Sequence, residues 1–122
     1  MAVQPTAEHK SLDAPDETRA FPRGRHEIVT VGGVTFGRMT FEPGWHWAEH
    51  VRPIAGTESC QVAHGVYVVS GRLRTRLDSG EEFDLAAGDA GYSPAGHDAW
   101  VVGDEPFVTI DILGAAQYAK RK

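Results

Sequence analysis

The sequence predicts an all-β fold in which two antiparallel sheets close into a barrel or sandwich. Three observations carry that expectation. Turn-forming residues recur about every 8–12 positions. Short apolar or β-branched runs fill the intervals between them. Before residue 114 no stretch repeats its apolar residues with the 3.6-residue period of a helix. At 122 residues, with 41% hydrophobic and 24% charged, the chain suits one domain around one core.

Residues 1–22 are polar, punctuated by Pro5, Pro15 and Pro22. They read as an arm, loosely docked or laid across the barrel, anchored only by Leu12 and Phe21. Residues 23–114 form the barrel domain. Ile28 to Val31 is β-branched, Gly32-Gly33 is a hairpin turn, and Val34 to Phe41 alternates. After Pro43-Gly44, the segment from Trp45 to Val51 is expected to be a strand. A loop spans Pro53 to Ser59, and Gln61 to Val69 is the next strand. Arg72, Arg74 and Arg76 share one face of the following strand, a solvated face. Ser79-Gly80 and Gly103-Asp104 are exposed hairpin tips. Gly71 and Gly88 sit where a hairpin asks for positive φ. Residues 115–122 form a short C-terminal tail with a basic end.

Composition removes several function classes. No run of 18 apolar residues exists, so no transmembrane helix is expected. The opening MAVQPTAEHK lacks an apolar signal core, and the expected location is the cytoplasm. One cysteine, Cys60, excludes an intrachain disulfide and a multi-cysteine zinc site. A formal charge of −5 argues against nucleic acid as a partner.

Two segments carry a more specific pattern. Gly44 is followed after five residues by His50, and His64 after six by Gly71. Gly88 is followed after five residues by Pro94-Ala95-Gly96, within GDAGYSPAGHDAW. Together they resemble the two signature motifs of the cupin superfamily, over about residues 27–113. The resemblance implies a single-domain jelly-roll barrel of two antiparallel sheets. Where that family carries its four metal ligands, His, His, Glu and His, this chain has His50, Arg52, His64 and Ala99.

Strand parity suggests how a metal site would survive. His97 shares a face with Ala99, displaced about 6–7 Å along the strand, and can stand in for the missing ligand. His64 would be the second ligand. The third would be His50 or Glu49, and the register leaves that choice open, because Trp45, Trp47 and Glu49 lie on the face opposite His46 and His50. Imidazoles suit Fe(II), Mn(II), Ni(II) and Zn(II) alike. Cys60, on the face of His64, would tilt the choice toward zinc or iron as a further ligand; its plainer reading is a small buried residue. His9 and His26 read as solvated. Asp98 would orient an imidazole or cap a turn. Arg52 turned inward would bind a carboxylate bidentately, and Tyr67, Tyr92 and Trp100 would line the pocket if they face inward.

The function expected is therefore a small cupin binding a divalent metal and acting on, or binding, a small polar or carboxylate-bearing molecule. Two alternatives stand beside it: a metal-free ligand-binding or sensing module, and a metal-free isomerase or epimerase using acid–base chemistry. A homodimer through one sheet is expected from Phe36, Phe41, Trp45 and Trp47 as exposed apolar supply.

Overall fold

The structure, a computed structural model, describes residues 6–120. Nine strands and two single-turn helices follow in the order β1 (Glu17–Phe21), β2 (Gly24–Val31), β3 (Val34–Phe41), α1 (Trp47–His50), α2 (Arg52–Ala55), β4 (His64–Ser70), β5 (Arg72–Leu77), β6 (Glu82–Ala86), β7 (Ala90–Ser93), β8 (His97–Val101) and β9 (Phe107–Asp111). A six-stranded sheet runs β1-β2-β3-β9-β4-β7 and a three-stranded sheet β6-β5-β8. Every pairing is antiparallel. With 48% strand and 7% helix, the expected all-β jelly roll is what forms. Among the described residues no helix is long and apolar enough to cross a membrane.

Period-two alternation sorts side chains between core and surface. In β8 it buries His97, Ala99 and Val101; in β9 it buries Phe107, Thr109 and Asp111. In β5 it buries Leu73 and Thr75, while Arg72, Arg74 and Arg76 face outward, with Arg72 and Arg74 beside Asp84. The hairpin at Gly32-Gly33 pairs β2 with β3 in the expected register. Gly71 and Gly88 have φ of +81° and +91°, and a Cβ on Gly71 would strike the Pro106 carbonyl.

Three segments differ from the sequence reading. Residues 45–51 are not a strand. Beyond the buried Trp45, the segment buries Trp47, His50 and Val51, and that i, i+3, i+4 spacing is the period of a helix turn. Pro53 in the first turn of α2 ends no hydrogen bond that a helix would need. The N-terminal arm joins the large sheet through β1, and ahead of it Asp16 accepts from the Thr30 N–H at 2.9 Å. The C-terminal segment turns back over the barrel end and buries Ala115, Tyr118 and Ala119.

Trp45, Trp47 and Phe41 are core residues, not surface supply for a dimer. Phe41 stacks on Trp45 with ring centroids 3.8 Å apart. The exposed large apolar residues are others: Val34, Tyr67, Val69, Tyr92, Ile112 and Leu113.

Candidate metal centre

Local geometry brings one thiol and two imidazoles together at the barrel end. The loop after α2 runs beside the start of β8: Cys60 N–H donates to the His97 carbonyl at 2.7 Å, and the Gly96 and His97 N–H groups donate to the Cys60 carbonyl. Cys60 thus lies directly opposite His97. His64 opens β4 opposite Ser93, so it faces both. The ligand atoms of Cys60, His64 and His97 all lie within 4.8 Å of one another, and all three residues are buried.

The imidazoles are oriented from behind. His97 Nδ1–H donates to the Pro94 carbonyl at 2.7 Å, which leaves its Nε2 lone pair for the cluster. His64 Nδ1 lies 2.5 Å from Asp111 Oδ2, and its Nε2 is 3.8 Å from the Cys60 sulfur. Asp111 is fully buried at the inward end of β9; its other oxygen accepts from the Leu113 and Gly114 N–H groups. The chain passes so close here that a Cβ on Gly114 would meet the Ala63 carbonyl and His64 Nδ1.

The electrostatics follow from this packing. Burial works against a charged His64, but Asp111 and Cys60 outweigh it and push the imidazole up to about 9. Burial raises the Cys60 thiol; His64 and His97 overcome this and bring it down to about 6. Tyr118 packs edge-on against His64 at 5.2 Å, and burial holds its hydroxyl well above the usual range, so it keeps its proton. The backbone carbonyl of Tyr118 accepts from Arg19 Nη1 at 2.8 Å and from His26 Nδ1 at 3.3 Å.

A metal fits this donor set. Nitrogen and sulfur ligands about 2.0–2.3 Å from an ion in tetrahedral geometry lie roughly 3.4–3.8 Å apart, so a small inward movement of these side chains suffices. Both histidines offer Nε2 while Nδ1 is held from outside, the arrangement usual for metal-bound imidazole.

His64 and His97 are the two sequence candidates that the structure brings together. The other two it places elsewhere. Glu49 is exposed on α1, and His50 Nε2 is 2.9 Å from its carboxylate. His50 Nδ1 accepts from the His46 N–H at 3.0 Å, so the helix turn consumes this ring locally. The pocket candidates lie outside as well. Arg52 is exposed and pairs with Glu58 at 2.9 Å. Tyr67 and Tyr92 are 54% and 63% exposed. Trp100 lies on the outer face of β8 against His46, with Arg76 over its ring. Asp98 both pairs with His46 Nε2 at 2.6 Å and caps α1 through the Ala48 N–H. His9 is exposed as expected, but His26 is fully buried.

Sequence reasoning missed Asp111 and Tyr118 as members of the site. Asp111 had a signal: an acidic residue on the inward parity of Phe107 and Thr109 needs a buried partner. Cys60 carried a weaker one, its i, i+4 spacing to His64. Tyr118 carried none.

No protein-family profile and no curated sequence matches the chain. Solved structures do. Oxalate decarboxylase of Lactobacillus farciminis, in complex with formate, is 21% identical with a TM-score of 0.58, covering 84% of this chain and 32% of that one. Oxalate decarboxylase of Bacillus subtilis, in a structure concerned with its Mn(II) centres, is 26% identical with a TM-score of 0.53, covering 78% and 26%. A protein of unknown function (DUF1255) from Acidithiobacillus ferrooxidans is 22% identical with a TM-score of 0.58, covering 79% and 85%. The chain has the fold of a small cupin domain. It spans about a third or less of the length of the two oxalate decarboxylases. The cupin fold thus stands as the sequence pattern suggested, and within it Cys60, His64 and His97 are the buried group whose donor atoms lie close enough to hold an ion.

Proposed function

We propose that this cupin domain holds one divalent metal ion on Cys60, His64 and His97 and binds or transforms a small polar molecule beside it. The observation that carries the reading is the convergence of three buried donor atoms with both imidazoles oriented from behind. A divalent ion with three protein ligands supplies a Lewis acid with an open position. The Mn(II) centres of the Bacillus subtilis neighbour support a metal-bearing cavity in this fold. A thiolate in the set favours Zn(II) or Fe(II) over Mn(II) here.

The chain's own residues divide the remaining tasks. Asp111 fixes the His64 ring and keeps its Nε2 turned toward Cys60. Pro94 does the same for His97 through a backbone carbonyl. The apolar wall of Phe41, Leu73, Leu85 and Phe107 keeps bulk water out and strengthens electrostatic interactions inside. The interior space measures about 40 Å³, room for an ion's open position and a molecule of a few non-hydrogen atoms. Without an ion, the Cys60–His64 pair is the feature that would serve a metal-free acid–base enzyme. Pairing of two chains, if it occurs in solution, would use the Tyr67, Tyr92 and Ile112 face instead of the buried tryptophans.

Elemental analysis of tag-free protein, purified without chelator or added metal, tests the reading. About one ion per chain is expected, and little in Cys60→Ala. Wild-type protein still empty after soaking in excess Zn(II), Fe(II), Mn(II) and Ni(II) and desalting would overturn it.

A further inference from the structure

Polar atoms in this interior are nearly all paired. Thr109 Oγ1 donates to the Tyr67 carbonyl at 3.0 Å, and Asp111 accepts through both oxygens. Against that background, four buried side-chain atoms have no partner among the described residues: His26 Nε2, which lies away from the cavity, and the indole N–H of Trp45, the indole N–H of Trp47 and the hydroxyl of Tyr118. The last three residues wall the cavity that His64 and His97 also line. Trp45, Trp47 and Tyr118 are 2%, 2% and 3% exposed, so bulk water does not satisfy them. A buried donor without an acceptor costs about as much as a lost hydrogen bond. Three such donors on residues that wall one cavity are groups that an acceptor-bearing molecule entering it would pair.

The chemistry of the three groups narrows that molecule. An indole offers one donor and no acceptor, and the Tyr118 O–H adds a third donor. The occupant must therefore present several acceptor lone pairs in very little volume. A divalent ion on one thiolate and two neutral imidazoles leaves one positive charge, which an anion matches. A carboxylate of a few atoms meets all three demands, with two oxygens carrying about four acceptor sites. Bulky or purely apolar molecules fail on volume or on pairing.

We propose that Trp45, Trp47 and Tyr118 form a donor cradle for a small carboxylate seated at the Cys60–His64–His97 centre. The inference rests on the metal reading above and specifies its ligand. Tyr118 comes from the C-terminal turn, and the bonds from Arg19 and His26 to its carbonyl set the ring's position. It is a ligand-positioning residue whose hydroxyl is removable without removing the ring.

Tyr118→Phe tests the proposal in cobalt-loaded full-length protein with formate as the probe. Cobalt uptake is followed by the thiolate-to-metal charge-transfer band, and formate binding by tryptophan fluorescence. The variant should load cobalt as wild type does and bind formate about 5–10-fold more weakly, the range expected for one hydrogen bond. Without formate it should melt at the same temperature or a few degrees higher, because an unpaired buried hydroxyl is gone. With the cobalt band intact, equal formate affinity in both proteins would overturn the cradle. So would a variant melting several degrees lower, which marks the hydroxyl as structural. A folded wild type with no cobalt band would overturn the metal reading, and the cradle with it.

Discussion

Two buried histidines pack edge-on against the same tyrosine and behave in opposite ways. His26 and His64 lie 5.6 Å and 5.2 Å from the Tyr118 ring. Burial drives His26 down to about 4, and its Nε2 has no partner among the described residues. His64 is as enclosed, yet Asp111 and Cys60 reverse the effect and push it up to about 9. Burial alone holds an imidazole neutral; burial beside a carboxylate and a thiol favours its charged form. The difference separates a packing histidine from one held in a cluster of donor atoms. On one side of Tyr118 the ring holds the C-terminal turn in place. On the other, a ring of the same type belongs to a cluster of ligand atoms.

The largest contrast is expected from the cluster. His64→Ala should abolish stoichiometric metal binding, whereas His26→Gln should leave it unchanged, as measured by elemental analysis of folded protein. Asp111→Asn, which keeps the shape of the side chain but loses the charged acceptor behind His64, should weaken metal affinity about 10–100-fold. Equal metal content in His64→Ala and His26→Gln would erase the distinction between the two rings.

Acid stability should sharpen it from the other side. The unfolded His26 ring takes up a proton near pH 6.5 and the folded one only near 4. The unfolded chain therefore binds more protons between these values. The neutral ring's contribution is complete above pH 6.5 and is lost as the pH falls toward 4, by up to about 3 kcal/mol. His64 has the reverse sign: its contribution is present below pH 6.5 and fades as the pH rises toward 9. Cys60, lowered to about 6, gains over much of that range, so those two slopes oppose each other. Denaturation curves of metal-free protein from pH 7 to 4 should show the loss in wild type and a flatter profile in His26→Gln. An unchanged slope in the variant would remove His26 as its source.

The smallest effects are expected at two residues that the sequence offers for the site only if they face inward. Glu49→Ala and Arg52→Ala should each change stability by less than about 0.5 kcal/mol and leave metal content as it is. Both side chains are exposed, and the Arg52–Glu58 pair is a surface ion pair. A loss of metal in Glu49→Ala would bring α1 into the site.

Most of the scaffold was legible because its signals are local. Gly32-Gly33, Gly71 and Gly88 each demand a turn on their own, and the arginines of β5 declare its outer face. The segment at 45–51 was misread because Trp45 and Trp47 satisfy a strand's alternation, and only Val51 and His50 reveal the helical period. The candidate site was legible at His64 through motif spacing and at His97 through strand parity with Ala99, the position the motif marks. Cys60 carries only a weak signal in sequence, since its place opposite His97 depends on how a loop returns to β8. His26 reads as solvated from sequence because nothing near it announces the C-terminal turn that covers it. Tyr118 is the extreme case: its role exists only once the chain has returned to its own first strand.

That return imposes an order on assembly. Arg19 and the Tyr118 carbonyl meet at 2.8 Å across 99 positions of sequence, and His64 meets Asp111 across 47. During synthesis Cys60, His64 and His97 all emerge before Asp111, and Asp111 before Tyr118. A nascent chain thus possesses its three donor atoms while it still lacks the carboxylate that orients one of them and the ring that roofs the cavity. An ion captured at that time would sit in an open, unsupported site and exchange freely. The cavity is walled on this side only when the segment around Tyr118 docks on β1, so the proposed site is completed late in folding, after the donor atoms themselves are in place.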